Sequence, residues 1–306
     1  MKFTDLLERQ FINPPLELSP DAEYKKEFIV IGGGLMGATI AKALWEKGLD
    51  GEILDSKEEE PGTVACGGLI KPSPLMGMTK EQVNASLAML DRFFGIQAGP
   101  IKIRPSGNIL KTTVYEVGMD EIFSVPKVWG KALEIKVSPN SVLYWNKAKK
   151  LIQVFAPLIV LAAGRGCLSL APRLQDSLTA KRGFSFHFSG SVPEPFVKFW
   201  APYKQITIHN TVFKEEPIVW AGEGSALKLN SWYDGKIEEG LARVRGEIPK
   251  LELIRTLRGI RLFHPKRKPC YLEHTDEGVH IATACGKFGL ISAGFAAIEV
   301  LKNEGL

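Results

Sequence analysis

The order of apolar and polar positions along this chain predicts both strands and helices. The run 28–31 and the run 158–164, which closes on small residues, predict strands buried on both faces of a parallel sheet. Apolar and polar residues alternate over much of 100–145 and 181–235, which predicts further strands in two β-rich segments. A last strand is predicted at 278–284, and helices are predicted from Gly34 through Trp45, over 79–94, over 236–256 and up to Asn303. The chain is therefore predicted to be a mixed α/β protein.

The first apolar run leads directly into three glycines with the spacing Gly-x-Gly-x-x-Gly, Gly32, Gly34 and Gly37. The first glycine permits a tight turn, the second lets a pyrophosphate approach the backbone, and the third lets helix and strand pack closely. The N-terminus of the helix then faces the phosphates. Asp55 ends the next strand, 21 residues after Gly34, where its carboxylate can accept hydrogen bonds from both ribose hydroxyls. This unit predicts a βαβ dinucleotide site, and Asp55 argues against NADP without separating NAD from FAD.

The nucleotide unit is interrupted twice by β-rich segments and is completed by the last strand and helix of the chain. A simple dehydrogenase keeps its six strands together, so this interruption favours a flavoprotein. The predicted fold is a Rossmann-like FAD-binding domain with a central parallel sheet, interrupted by a smaller antiparallel β-rich substrate domain. The predicted boundaries are an N-terminal arm at 1–26, the FAD-binding domain at 27–75, 140–183 and 257–306, and the substrate domain at 76–139 and 184–256.

Length and composition allow a sizeable core, with 306 residues of which 45% are hydrophobic. No apolar run reaches the roughly 18 residues that a membrane span needs, and the N-terminus lacks the apolar segment of a signal peptide. A soluble, cytoplasmic protein is expected. The four cysteines show no Cys-x-x-Cys spacing and the five histidines are scattered, so reduced thiols are expected and neither a disulfide framework nor a metal site is predicted.

Basic residues are concentrated in the stretch 243–268, which holds nine Lys or Arg and two Glu. Two interpretations remain open for this basic stretch. It is either a solvated helix followed by a basic turn, or a face for a polyanionic partner such as nucleic acid.

Four segments resemble those of the D-amino-acid oxidase and glycine oxidase family of FAD-dependent oxidoreductases, over a region from about Phe28 to the C-terminus. They are the unit 32–55, the loop 65–72, the strand 160–164 followed by 181–183, and Gly259-Ile-Arg261 together with the turn 286–289. The resemblance implies that Arg261 binds a substrate carboxylate and that the turn 286–289 lies under the isoalloxazine ring. Lys287, in that turn, is either a solvated lysine or a catalytic group that stabilises reduced flavin or assists reaction with oxygen. The residues predicted to bind FAD are Gly32, Gly34, Leu35, Met36, Gly37, Asp55, Ser56, Gly67, Gly68, Leu69, Val137, Ala163, Gly164, Gly286, Phe288 and Gly289.

The implied reaction is oxidation of a C–N bond in an amino acid or secondary amine, by hydride transfer to flavin N5 and hydrolysis of the resulting imine. The chain departs from the family at Leu262, where proline is usual, at the basic run 266–268, and in its short substrate region. Two alternatives therefore stay open: the same chemistry on an aminoacyl- or carboxymethylamino-modified nucleobase in DNA or RNA, releasing glyoxylate, and a non-catalytic flavin- or NAD-binding protein. Cys270 is similar in position to the cysteine to which monomeric sarcosine oxidases attach flavin covalently, with a buried structural thiol as the alternative.

Overall fold

Two large sheets with helices packed against them make up the part of the chain that the computed structural model describes. The described residues are 19–57, 63, 68–70, 77–104, 110–201, 204–213, 215–223, 227–228, 234–264, 269–286 and 289–306. None of the helices in these ranges combines the length and the apolar character that a bilayer span requires.

The strands fall into two sheets and are numbered in chain order. The bounds of the strands are β1 (Ala22–Lys25), β2 (Phe28–Ile31), β3 (Gly51–Asp55), β4 (Leu69–Ile70), β5 (Ile96–Arg104), β6 (Leu110–Val117), β7 (Val128–Val137), β8 (Asn140–Asn146), β9 (Leu151–Phe155), β10 (Leu158–Leu161), β11 (Thr179–Phe188), β12 (Phe196–Ala201), β13 (Lys204–Phe213), β14 (Glu216–Glu223), β15 (Leu227–Lys228), β16 (Leu253–Phe263), β17 (Tyr271–His274) and β18 (Val279–Thr283).

The described residues include four long α-helices and two short ones. Their bounds are α1 (Leu35–Glu46), α2 (Lys80–Phe94), α3 (Met119–Ser124), α4 (Cys167–Leu170), α5 (Asp234–Glu247) and α6 (Gly289–Asn303), with 3₁₀ turns at Gly164–Gly166 and Pro172–Leu174. The start of α2 is fixed by a capping box, in which the Thr79 hydroxyl accepts from the Gln82 amide and the Gln82 side chain accepts from the Thr79 amide.

The first sheet has the strand order β1-β9-β8-β7-β3-β2-β10-β18-β17. Its centre is parallel, because β3, β2, β10 and β18 all run in the same direction. The central strands β2, β10 and β18 are buried at every position, as expected for a parallel sheet covered on both faces. Helices α1, α2 and α6 cover one face, and α4 with its flanking 3₁₀ turns covers the other. Parallel strands of this kind end at a common edge, which positions the candidate site.

The second sheet is mainly antiparallel and has the order β15-β11-β14-β13-β12-β5-β6-β4, with β16 also paired to β11. One of its faces is apolar and packs on α5. Phe184, Phe186 and Phe188 of β11 contribute to this core together with Ile237 and Val244 of the helix. The predicted α/β architecture is therefore confirmed.

Two local predictions were wrong. The helix predicted at 236–256 ends at Glu247, because Pro249 follows two residues later and lacks the amide hydrogen that a helix needs. Residues 22–25, predicted as part of an arm outside the core fold, form β1 and pair with β9 at the edge of the first sheet. The sequence of β1 gave no signal because most of its side chains are exposed.

Candidate active site

The candidate active site lies at the carboxyl ends of β2, β10 and β18 in the first sheet. This side of the sheet, where the central strands end, is referred to as the edge. Leu161, the last residue of β10, is level with Ile31 of β2 on one side and with Ile281 of β18 on the other. The backbone of Ala162 donates to the Ile31 carbonyl at 2.8 Å, and the Thr283 hydroxyl donates to the Gly164 carbonyl at 3.4 Å. The segments that follow the three strands are therefore neighbours, although they are far apart along the chain.

The glycine turn after β2 is held tightly against the segment that follows β10. Gly32 has a φ of +105°, and a β-carbon at this position would lie 2.6 Å from the Ala162 carbonyl oxygen. A β-carbon on Gly37 would collide with the Gly32 carbonyl oxygen, so α1 approaches the turn as closely as the glycine pattern predicts. Leu35 and Met36 are buried in the first turn of α1, which leaves their backbone as the part available to a ligand.

Thr63 lies at the N-terminus of α1, where the dinucleotide pattern places a pyrophosphate. Its hydroxyl accepts a hydrogen bond from the Leu35 amide at 3.1 Å, and a β-carbon on Gly34 would lie 2.9 Å from the same oxygen. A threonine hydroxyl at a helix N-terminus can both satisfy the free amide and donate to a phosphate oxygen. Thr63 was not predicted from the sequence, because no spacing rule connects this residue to the start of α1.

Asp55 lies beside the glycine turn, as its position 21 residues after Gly34 predicted. A β-carbon on Gly33 would collide with Oδ2 of Asp55, and Oδ1 accepts the Lys57 amide at 2.9 Å. Ser56 follows and is half-buried. The carboxylate therefore points along the edge of the sheet toward the turn, which suits a ribose hydroxyl ligand.

Lys127 is a second residue of this region that the sequence analysis missed. Its side chain passes Gly33, where a β-carbon would lie 2.5 Å from Cδ, and its ammonium donates at 3.1 Å to the carbonyls of Ile122, Phe123 and Val125. Burial lowers the pKa of Lys127, and the nearby Asp55 charge opposes this effect. The lysine fixes the end of α3 beside the Asp55 carboxylate.

Gly68, Leu69 and Val137 are further residues that were predicted to bind the cofactor. Gly68 and Leu69 run along β6, where the Gly68 carbonyl accepts the Val117 amide at 3.0 Å, and β4 also contacts α6. Val137 does not join the group: Asp55 is level with Trp129, and Val137 lies eight residues further along β7, at roughly 3.3 Å per residue. The predicted residues Gly67, Lys287 and Phe288 lie outside the described residues.

The turn after β18 meets the end of β16, which carries Arg261. The Gly286 amide donates to the Leu262 carbonyl at 2.9 Å, and Phe263 and Cys285 form an isolated antiparallel bridge. The first residue of α6, Gly289, follows this turn. Arg261 therefore directly precedes Leu262, the residue that joins β16 to the turn at Gly286, where the flavin ring is predicted to lie.

Arg261 belongs to the polar face of the second sheet, defined here by Lys181, Gly183 and Ser185 of β11 with Gly259 and Arg261 of β16. These residues share one face because Lys181 pairs with Arg261 and Gly183 pairs with Gly259. The Arg261 guanidinium crosses Gly183 so closely that a β-carbon there would collide with Nη2. Lys181 adds a second cation, 5.2 Å from the centroid of the Phe263 ring.

The polar face continues across β11, β14 and β13 as a set of buried polar side chains, which include Ser185, His187, Thr207 and His209. The Ser185 hydroxyl is fully buried and has no hydrogen-bond partner among the described residues. Burial, with a smaller contribution from the Arg255 charge, lowers the pKa of His187 to about 4. Buried polar groups beside two cations are suited to a small anionic ligand.

Three of the six basic residues that the structure describes in the stretch 243–268 form ion pairs with acidic residues. These pairs are Arg243 with Glu239 at 3.9 Å, Arg255 with Glu216 at 3.7 Å and Arg258 with Asp234 at 3.0 Å, and Glu247 of the stretch pairs with Lys198 at 2.5 Å. Positions 265–268 lie outside the described residues. These pairs reduce the charge available to a polyanion.

The Cys270 thiol is buried in the core between the first sheet and α6. Burial, with a smaller contribution from the Glu299 charge, raises its pKa to about 12. The thiolate needed for a covalent bond to flavin is therefore scarce at neutral pH, which favours the structural interpretation of this residue. Cys167, Cys270 and Cys285 are all free thiols.

Comparison with known proteins establishes the fold. No known family profile matches the chain, and no curated protein matches it by sequence. Similar solved structures include L-proline dehydrogenase from P. horikoshii (TM-score 0.67, 14% identity, 92% of this chain and 94% of that chain). Others are an FAD-dependent oxidoreductase from Pseudomonas aeruginosa (TM-score 0.65, 15% identity, 94% and 93%) and glycine oxidase from Geobacillus kaustophilus (TM-score 0.62, 13% identity, 91% and 94%). The predicted resemblance is confirmed at the level of fold, and these comparisons give no support to a nucleic-acid partner.

Proposed function

We propose that this protein is an FAD-dependent oxidoreductase that oxidises a C–N bond in an amino acid or secondary amine. The observation that carries the proposal is the convergence of the glycine turn at Gly32, the segment 162–164 and the turn at Gly286 on one edge, beside Arg261. The shared fold with a glycine oxidase and an L-proline dehydrogenase supports the same reaction class.

The residues around the glycine turn fit FAD. Side chains are absent where the phosphates would approach, the N-terminus of α1 supplies amides, and Thr63 and Asp55 supply a hydroxyl and a carboxylate. When bound, the flavin supplies the acceptor for a hydride. The protein's own contribution is then binding, orientation and a suitable electrostatic environment.

Arg261 is proposed to hold the substrate carboxylate, with Lys181 as a second positive charge on the same face. A bidentate charge-assisted pair contributes about 1.5–3 kcal/mol per hydrogen bond. With flavin bound, the substrate carbon next to nitrogen would give its hydride to the flavin and the nitrogen would give a proton to water, which would leave an imine. Water would then convert the imine to a carbonyl compound and an amine or ammonia.

An anaerobic reduction screen tests this proposal. The purified protein is mixed, without oxygen, with free amino acids, N-methyl amines and modified nucleosides, and the visible flavin absorbance is followed. Bleaching by a carboxylate-bearing amine is the expected result. Bleaching by modified nucleosides alone would move the substrate to a nucleobase, and a flavin that none of the amines reduces would leave a non-catalytic binding protein.

A further inference from the structure

Two histidines and a glutamate form a cluster at the end of the first sheet that faces away from the glycine turn. His274 ends β17, and His280 is its direct partner across the hairpin near the start of β18. Glu304 lies just after the end of α6. The glycine turn, in contrast, adjoins the carboxyl ends of the strands, so the cluster is separate from the candidate active site.

The ligand atoms of the three side chains are close enough to share one cation. Nδ1 of His274 lies 3.1 Å from Nε2 of His280, and the same Nε2 lies 2.7 Å from Oε1 of Glu304. All three atoms are within 4.8 Å of one another. Because metal–nitrogen and metal–oxygen bonds to Zn²⁺ are about 2.0–2.2 Å long, ligand atoms about 3 Å apart match one coordination sphere.

Hydrogen bonding alone satisfies this arrangement poorly. Nε2 of His280 lies within hydrogen-bond distance of both Nδ1 of His274 and Oε1 of Glu304, and it holds either one proton or one lone pair. If Nε2 is protonated and donates to Glu304, it has no second hydrogen for His274; if it is not protonated, its lone pair faces the carboxylate. A cation between the three atoms accepts all three lone pairs at once.

Burial and access also favour a cation. His280 is 2% exposed and Glu304 is half-buried, whereas His274 is exposed, so the cluster has a buried base and an open side.

A cavity of about 200 Å³ adjoins the cluster and leaves room for further ligands. In addition to the two histidines, it is lined by Glu273, Glu299 and Asn303. Glu273 already binds Arg173 at 2.6 Å, but water molecules in the cavity can complete a coordination sphere that has three protein ligands.

We propose that His274, His280 and Glu304 bind one divalent transition-metal cation, with Zn²⁺ as the preferred ion. Two imidazoles and one carboxylate are a ligand set that zinc accepts, whereas calcium and magnesium require oxygen ligands. The cation joins the C-terminal end of α6 to the β17–β18 hairpin. Its role is therefore structural, and it takes no part in flavin chemistry.

Zinc binding is measured on the untagged, flavin-containing protein after treatment with a chelator, by equilibrium dialysis against Zn²⁺ and metal analysis. The wild-type chain is expected to bind one zinc ion. His274→Gln and Glu304→Gln are each expected to weaken binding at least tenfold, since even loss of a residue that only supports a ligand costs about 10- to 100-fold. His264→Gln, which removes a histidine outside the cluster, is the matched control and should bind zinc as the wild type does.

Thermal unfolding gives a second measurement that does not depend on activity. Zinc should raise the unfolding temperature of the wild type and of His264→Gln, but not that of Glu304→Gln. Circular dichroism establishes that each variant is folded. His274→Gln is the substitution least able to disturb the core, because His274 is exposed. A wild-type chain that binds no stoichiometric zinc at neutral pH, or variants that bind as tightly as the wild type, would overturn the proposal.

Discussion

The two sheets present their polar groups in different ways. The central strands of the first sheet are apolar on both faces, and the proposed cofactor-binding groups lie at their carboxyl ends, where Gly32 follows β2 and Asp55 ends β3. The second sheet packs apolar side chains of β11, β13 and β14 on α5, and it carries Lys181, Ser185 and Arg261 on its other face. The proposed cofactor contacts therefore come mainly from the backbone of consecutive residues, whereas the proposed substrate contacts depend on side chains from separate strands. Substitutions at the glycine turn should therefore abolish cofactor binding, whereas substitutions on the polar face should only reduce the catalytic efficiency with the substrate.

The largest effect is expected for Gly32→Val, which tests the edge. Its positive φ disfavours any side chain, and the added β-carbon would approach the Ala162 carbonyl at 2.6 Å. The purified variant should contain no flavin by absorbance. Gly99→Val is the matched control, because no atom lies within 4 Å of its added β-carbon. A Gly32→Val protein with a full complement of flavin would contradict the proposed cradle.

Arg261→Ala tests the polar face and should leave the edge intact. Flavin content should be unchanged, while kcat/KM for a carboxylate-bearing amine should fall at least about tenfold, since a charge-assisted pair is lost. Arg258→Ala serves as the control, because Arg258 lies on the same strand but on the opposite face, where it pairs with Asp234. Equal kinetic losses in the two variants would remove Arg261 from the substrate site.

Asp55→Asn should weaken FAD binding about tenfold without preventing it, since the loss of hydrogen bonds to a charged acceptor costs about 1.5 kcal/mol or more. The dissociation constant is measured by titrating FAD into protein stripped of flavin. Asp50→Asn, which alters an exposed pair with Lys26, is the control. If both variants bind FAD equally well, Asp55 does not contact the ribose.

The last prediction concerns stability rather than binding and involves His187, whose pKa is lowered from 6.5 to about 4 by burial and the Arg255 charge. As pH falls below 6.5, the unfolded chain takes up a proton that the folded chain refuses until about pH 4. The free energy of unfolding should therefore decrease across this window, and His187→Gln should decrease less. Urea midpoints at about pH 7 and about pH 4.5 measure the difference. Parallel pH profiles for the two proteins would show that His187 does not contribute.

The glycine turn and Asp55 were predictable because the residues that identify them lie close together in the sequence. Gly32, Gly34 and Gly37 are contiguous with a buried strand, and Asp55 follows at a fixed spacing. Thr63 was not predictable, because its contact with Leu35 joins residues 28 positions apart that no spacing rule connects. Arg261 entered through resemblance to a family rather than through any pattern in its own segment.

The His274, His280 and Glu304 cluster was also invisible in the sequence, which gave no metal-ligand spacing. Its members come from two paired strands and a helix end, so only the tertiary structure brings them together. The one local signal is that the two histidines flank the five residues Thr275-Asp-Glu-Gly-Val279, and the two ends of such a segment can pair across a hairpin. That signal predicts a contact between the histidines, but it does not identify the carboxylate.

The central claim is that the opening glycines and the turn at Gly286 enclose a single FAD. It is tested most directly by the visible spectrum of the purified protein, together with identification of the cofactor released on denaturation. The expected result is a yellow protein that releases about one FAD per chain. A colourless protein that binds NAD instead would contradict the claim.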